Sequence, residues 1–339
     1  MKRIYIIFFI LLFFIPAYSF SAPSEKDDRA QKGEGIYAFL KRNGYNKTDH
    51  YEQFIELNKK QFKNNTQLIE GVRYQLPSTT SSISTPSSTT PKKGVTKKNK
   101  LFGKKYEKYT IKSDRLKGAC FFLSSGHGGP DSGAVGKVDG KILHEDEYAY
   151  DITLRLARNL LEEGATVHII IQDALDGIRD DKYLANSNRE TCMGAAIPLK
   201  QVARLKQRSD KINSLNKAAK EKYKRAVFIH LDSRSKKQQI DVFFYYSNNS
   251  VNGKKLANTM RNTFDENYKK HQPNRGFTGT VSTRSLYVLN NTTPVGIFTE
   301  LGNIQNSFDQ RRFLQSDNRQ ALANWMCRGF IKDYENWKK

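Results

Sequence analysis

Two histidines and two glutamates stand where they could do chemistry. His127 lies within Ser124-Ser125-Gly126-His127-Gly128-Gly129-Pro130-Asp131-Ser132-Gly133-Ala134, where glycines leave its ring room to face a cavity. His230 follows the apolar run Val227-Phe228-Ile229. Glu300 follows Val295-Gly296-Ile297-Phe298-Thr299, and a carboxylate after such a run is costly without a role. Glu145 precedes Asp146 and Glu147 at the start of a helical pattern. Two imidazoles, one carboxylate and an open position make a catalytic zinc site, and a further carboxylate moves the proton. The metal ligands are therefore assigned to His127, Glu145 and His230, with Glu300 as the catalytic base. Of the six histidines, His50 and His271 lie in polar stretches and His168 inside a strand. His144 competes with its neighbour Glu145, but an adjacent pair rarely reaches one ion.

The elements that must hold these residues alternate. Short apolar runs at 119–124, 166–171, 226–230, 240–245, 285–289 and 295–300 read as strands. Helical periodicity covers 148–163, 205–223, 253–268 and 317–336. The alternation predicts an α/β fold, a mostly parallel twisted sheet with helices on both faces. Sites in such sheets lie at the carboxyl ends of strands, where His127, His230 and Glu300 fall.

From about 119 to 334 the chain resembles the zinc N-acetylmuramoyl-L-alanine amidases. The likeness rests on Gly126-His127-Gly128-Gly129 with Asp131 and Gly133-Ala134, on Leu143-His144-Glu145, and on Arg208 followed by Asn213. It continues through Phe228-Ile229-His230-Leu231-Asp232, Arg275-Gly276, Glu300-Leu301-Gly302 and Asn306, all in the family's order. The resemblance implies Zn2+ on His127, Glu145 and His230, a catalytic Glu300, and peptidoglycan as substrate. The bond cut would be the amide between the N-acetylmuramoyl lactyl group and the L-alanine of the stem peptide. Phe228 and Asp232 stand where the family has serine and asparagine, Ile171-Gln172 replaces its Thr-Arg pair, and an acidic insertion separates Gln172 from Arg208. That insertion reads as a surface loop, although a lid could hide there. Between His230 and Glu300 little chain remains for a blocking helix, so an open cleft is expected.

The rest of the chain reads as export and attachment. Lys2 and Arg3 precede an apolar run from Ile4 to Ile15, and Ala17, Ser19, Ser21 and Ala22 follow Pro16. Residues 1–22 are thus expected to be a signal peptide, too short to span a bilayer, which needs about 20 apolar residues. No transmembrane anchor is expected after cleavage, and the protein is placed in the periplasm or cell envelope. Residues 33–77 resemble a divergent LysM module, on Gly33-Glu34-Gly35-Ile36, Leu57-Asn58, Ile69-Glu70-Gly71 and Tyr74-Gln75-Leu76-Pro77; the resemblance implies binding to wall glycan. Residues 78–108, rich in Ser, Thr and then Lys, read as a flexible cationic linker, and 116–336 as the catalytic domain. The net charge of +23 calls for an anionic environment. No basic run is interleaved with stacking aromatics, so nucleic acid is not an expected partner. Cys120, Cys192 and Cys327 allow at most one disulfide, and Cys120 and Cys327 read as buried thiols.

Two other readings compete. A zinc carboxypeptidase acting on stem peptides would need an anchor for a terminal carboxylate, which Arg208 or Arg275 could supply. A non-catalytic wall-binding protein would not need all four proposed site residues.

Overall fold

The computed structural model describes residues 28–31, 34, 36–45, 48–62, 68–77, 94–234, 236–272 and 274–339. The expected signal peptide, Gly33, Gly35 and the Ser/Thr-rich stretch 78–90 lie outside them. Chain contacts divide the protein into two units, one of residues 1–63 and 67–81, the other of 64–66 and 82–339. No helix of the described residues is long and apolar enough to cross a membrane.

The first unit has helices α1 (Ile36–Arg42) and α2 (Thr48–Phe62). Phe39, Leu40, Phe54, Phe62 and Tyr74 form its small core. The second helix runs past the expected end at 58, so Asn58 lies inside it rather than closing it. Its buried amide donates to the Phe54 and Gln75 carbonyls at 2.8 Å each and accepts from Gln75 N at 2.7 Å. That clamp ties the closing segment to the helix. The segment also pairs with the start of the unit through Tyr74 N to Asp28 O.

The second unit begins earlier than expected. Strands β1 (Thr96–Lys98) and β2 (Lys108–Thr110) pair antiparallel around a 3-10 turn and helix α3 (Gly103–Tyr106). Phe102 is fully buried and Tyr109 nearly so, both in the main core. The predicted linker is therefore corrected: 94–108 is folded because Phe102 and the adjoining Tyr109 find apolar partners, which lysine content alone conceals. Asp180 holds this segment. It accepts from Tyr106 Oη at 2.6 Å, pairs with Lys105, and lies 3.3 Å from Arg155 Nη2. Burial alone would raise its pKa, but the hydrogen bonds from Lys105 and Tyr106 bring it down to about 2. A depressed folded pKa gives stability that is present above the unfolded value, about 3.9, and lost as pH falls through the folded one. Asp180→Asn is expected to cost about 1–2 kcal/mol at pH 7 after discounting for partial exposure, and less as pH falls from 4 to 2. Urea unfolding at both ends of that range checks it, and a cost independent of pH would refute the ionic origin.

The remaining strands are β3 (Ala119–Ser125), β4 (Val135–Val138), β5 (Lys141–His144), β6 (Thr166–Ile169), β7 (Ile171–Gln172), β8 (Thr191–Cys192), β9 (Ala195–Ala196), β10 (Tyr223–Asp232), β11 (Phe243–Tyr246), β12 (Thr280–Thr283) and β13 (Val295–Asn303). The helices are α4 (Glu145–Glu162), α5 (Gln201–Ala218), α6 (Val251–His271), α7 (Tyr287–Asn290), α8 (Ser307–Leu314) and α9 (Ser316–Lys338). A six-stranded sheet runs β12-β11-β13-β10-β3-β6, parallel throughout except between β11 and β13. The mostly parallel α/β sheet expected from the alternation is present. Its strands are apolar on both faces because both are covered. Phe121 and Leu123 of β3 and Val227 and Ile229 of β10 join one core with α4, α6 and α9. The alternate residues Cys120, Phe122, Ala226 and Phe228 join a second core with Ile212 of α5 and Val288 of α7. All three cysteines are buried and unpaired.

Further elements differ from the sequence reading. The expected strand 285–289 is instead the short helix α7, and the edge strand beyond β11 is β12. The hairpin β4–β5 had gone unseen, although Asp139-Gly140 at its turn is a strong hairpin signal, with φ of 51° and 74°.

Candidate metal centre

His127 follows the end of β3, Glu145 opens α4, and His230 lies inside β10, which runs on to Asp232. His127 leaves β3 with φ 55°, in the left-handed region that non-glycine residues rarely adopt. Gly126 and Gly133 have no alternative. A Cβ on Gly126 would lie 2.4 Å from the His230 ring, and one on Gly133 would lie 2.6 Å from the His127 ring. The glycines are there because imidazoles pack directly on the backbone. The hairpin β4–β5 delivers the chain to His144 and so sets Glu145 as the first residue of α4. His230 lies on β10 opposite Glu300 of β13 in the parallel register.

The side chains converge. Glu145 Oε2 is 3.2 Å from His127 Nε2, and its Oε1 is 2.8 Å from His230 Nδ1. The same carboxylate accepts Ala134 N at 2.8 Å and Leu231 N at 3.0 Å, which fixes its orientation. One donor atom from each of His127, Glu145 and His230 falls within a 4.8 Å cluster. Asp131 Oδ2 lies 2.9 Å from His127 Nδ1, leaving Nε2 to face the cluster, and Arg204 holds Asp131 at 2.6 Å. His230 is stacked on Phe298 with ring centres 4.2 Å apart.

The electrostatics follow from these contacts. Burial alone would lower the His127 pKa, but Asp131 and Glu145 raise it to about 10. Burial opposes ionisation of Glu145 too, yet hydrogen bonds from both histidines hold it well below the usual carboxylate range. Burial drives the Glu300 pKa well above its ordinary value, reinforced by the charges of Glu145 and Asp232. Glu300 Oε2 is buried and has no hydrogen-bond partner among the described residues.

Other residues singled out by sequence have structural tasks. His144 stands at the N-cap of α4, its Nδ1 buried without a partner among the described residues. His168 stacks on Phe122. Arg275 is committed to Asp241, Asn213 bridges Asn291 O and Thr293 N, and Asn306 caps α8. In the insertion, Asp173 accepts from Ser187, and Asp176 pairs with Arg179 and Arg189. Ile178, Leu184 and Cys192 of the insertion are buried, so much of it is packed structure.

Sequence reasoning missed Asp131 as the partner of His127 and missed Arg204 altogether. The i,i+4 spacing of His127 and Asp131 across a glycine loop was the available signal. It also missed a second carboxylate cluster, Asp146, Glu147 and Glu190. Glu147 pairs with Arg179 at 2.8 Å, and Glu190 accepts Gly129 N at 2.8 Å, so the cluster braces the glycine loop. Asp131→Asn is expected to weaken metal binding by about tenfold or more, since the partner that orients a ligating imidazole is worth 10–100-fold. Competition against a chromogenic chelator measures it, and unchanged affinity would remove Asp131 from that role.

The fold is that of an α/β protein whose candidate chemistry gathers at the carboxyl ends of adjacent strands. The chain belongs to the N-acetylmuramoyl-L-alanine amidase family, whose model matches residues 122–332. The germination-specific N-acetylmuramoyl-L-alanine amidase of Bacillus subtilis (strain 168) is 24% identical over 221 residues, 64% of this chain and 80% of that protein. The structure of N-acetylmuramoyl-L-alanine amidase AmiC2 of Nostoc punctiforme is 21% identical, covers 65% of this chain and 99% of its own, and superposes with a TM-score of 0.47. The CwlD amidase of Clostridioides difficile, solved in complex with the GerS lipoprotein, is 20% identical over 64% of this chain and 98% of its own, with a TM-score of 0.48.

Proposed function

We propose that this chain is a zinc-dependent amidase that cleaves the bond between the lactyl group of N-acetylmuramic acid and the L-alanine of the stem peptide. The observation that carries the reading is the convergence of His127, Glu145 and His230 beside Glu300, whose Oε2 has no partner among the described residues, in a chain of the amidase family. Two imidazole nitrogens and a carboxylate are the donor set zinc takes at catalytic sites, so these residues fit the ion. When bound, zinc supplies Lewis-acid chemistry, drawing charge from the scissile carbonyl and making a water more acidic.

The chain's own groups do the rest. Asp131 and the backbone amides of Ala134 and Leu231 keep the His127 ring and the Glu145 carboxylate aimed. Glu300 accepts the proton of the attacking water and passes it to the leaving nitrogen of L-alanine. One water is consumed, and a muramyl carboxylate and a free peptide amine are formed. The aromatic rings of Phe228 and Phe298 wall one side of the histidines and limit solvent there.

Residues 33–77 are proposed to hold wall glycan, with export to the periplasm or cell envelope by the apolar leader at 1–22. The test is mass analysis of muropeptides digested by the purified, zinc-loaded chain. Intact stem peptides and unsubstituted muramyl groups are expected. Loss of one terminal residue would instead mean a carboxypeptidase, and an unchanged digest would mean a binding protein.

A further inference from the structure

A cleft of about 160 Å³ opens beside the two histidines, walled by Leu205, Phe228 and Phe298 and reached by Arg208 of α5. Arg208 is 3% exposed. Other buried arginines of this unit each have a buried carboxylate: Arg155 and Arg319 share Asp151 at 2.8 and 2.6 Å, Arg225 has Asp333 at 2.8 Å, and Arg312 has Asp241 at 2.9 Å. Arg208 has none among the described residues. Its Nη1 reaches Ser125 O at 3.4 Å, its Nη2 donates to His127 O, and its Nε finds no partner. Asp131 is already held by Arg204 and His127 and by Gly133 N. A buried guanidinium without a counter-charge is costly, and a carboxylate ligand would offset that cost with charge-assisted hydrogen bonds.

We propose that this cleft is a substrate subsite in which Arg208 receives a carboxylate of the stem peptide next to the scissile amide. The inference rests on the amidase reading. On the glycan side of that bond the lactyl carboxyl is the group being hydrolysed, so no free carboxylate is near. On the peptide side comes alanine, whose methyl suits the apolar wall. Next comes a γ-linked glutamate, whose α-carboxyl is either free or amidated. Two residues span about 7 Å when extended, a length that lets this α-carboxyl reach into a cleft adjoining the histidines. The substrate class is therefore an acidic stem, with the free α-carboxylate at its second residue. Its carboxamide is nearly isosteric but lacks the charge, and so leaves the guanidinium uncompensated.

The experiment compares kcat/KM of the zinc-loaded full chain on muramyl-L-alanyl-γ-glutamate with a free α-carboxylate and on its α-carboxamide. A preference of about tenfold or more for the acid is expected, with the ratio falling toward one in Arg208→Gln. A wild-type ratio near one would overturn the subsite while leaving the amidase reading standing. Cleavage of neither substrate would overturn the amidase reading instead. Calorimetry then decides the subsite independently, using the product dipeptides on metal-free protein. The acid dipeptide binding more tightly than its amide supports it, and equal binding removes it. Because the wild-type ratio and the calorimetry need no variant, a misfolded Arg208→Gln leaves the proposal open to refutation.

Discussion

Glu300→Gln is expected to retain zinc and to lose about 10²-fold or more in turnover, the scale on which a positioned general base acts. The substitution keeps the size and shape of the side chain on β13. It removes the proton acceptor. Glu300 is not among the three residues whose donors cluster, so metal content should not change. A fold defect should not mask the result either, because glutamine is nearly isosteric with the glutamate it replaces. The environment explains why this carboxylate suits proton transfer. The side chain is 8% exposed, and Oε2 makes no hydrogen bond to the described residues, so that oxygen is left for the reacting groups. Zinc analysis alongside steady-state turnover on soluble muropeptides gives both numbers. Near-normal turnover would place the base elsewhere. Glu147 is then a poor substitute, since Arg179 and the Ser187 amide occupy its carboxylate.

The sheet was legible in the sequence because its strands are apolar runs set between amphipathic helices. His127, His230 and Glu300 were legible because a polar residue after an apolar run stands out, although β10 and β13 run on past His230 and Glu300 to Asp232 and Asn303. Glu145 is legible only beside its neighbours, and the hairpin that places it is marked in the sequence only by Asp139-Gly140. What sequence conceals is pairing across distance. Asp151 is buried between Arg155, four residues away, and Arg319, 168 residues away, and no local pattern announces such a triad. The cationic segment 94–108 misled for a related reason. Its lysines are solvated while Phe102 is buried, and composition averages the two. Arg208 was visible as a motif residue, but its want of a counter-ion emerges only once the surrounding carboxylates are located.

His127→Ala and His230→Ala are each expected to lose zinc and, with it, activity. A catalytic site with three protein donors has none to spare, because the remaining position belongs to the reaction. The structure supplies a control. His144 is adjacent in sequence to Glu145 and is likewise partly enclosed, but its ring is outside the donor cluster. His144→Ala should therefore retain zinc. Folding is separable from ligation in the same series. His127 occupies a left-handed backbone position, a strain of order 1–3 kcal/mol that alanine would inherit, so the loop is neither relieved nor further strained by the change. The His230 ring, by contrast, packs on Phe298 and against Gly126, and its removal leaves a void. A lower melting temperature is expected for His230→Ala than for His127→Ala, each measured without metal, while both fail to hold zinc. Full zinc occupancy in either variant would break the assignment. Zinc loss in His144→Ala with retention in His127→Ala would transfer the ligand to the neighbouring turn and require the start of α4 to be rearranged in the loaded protein.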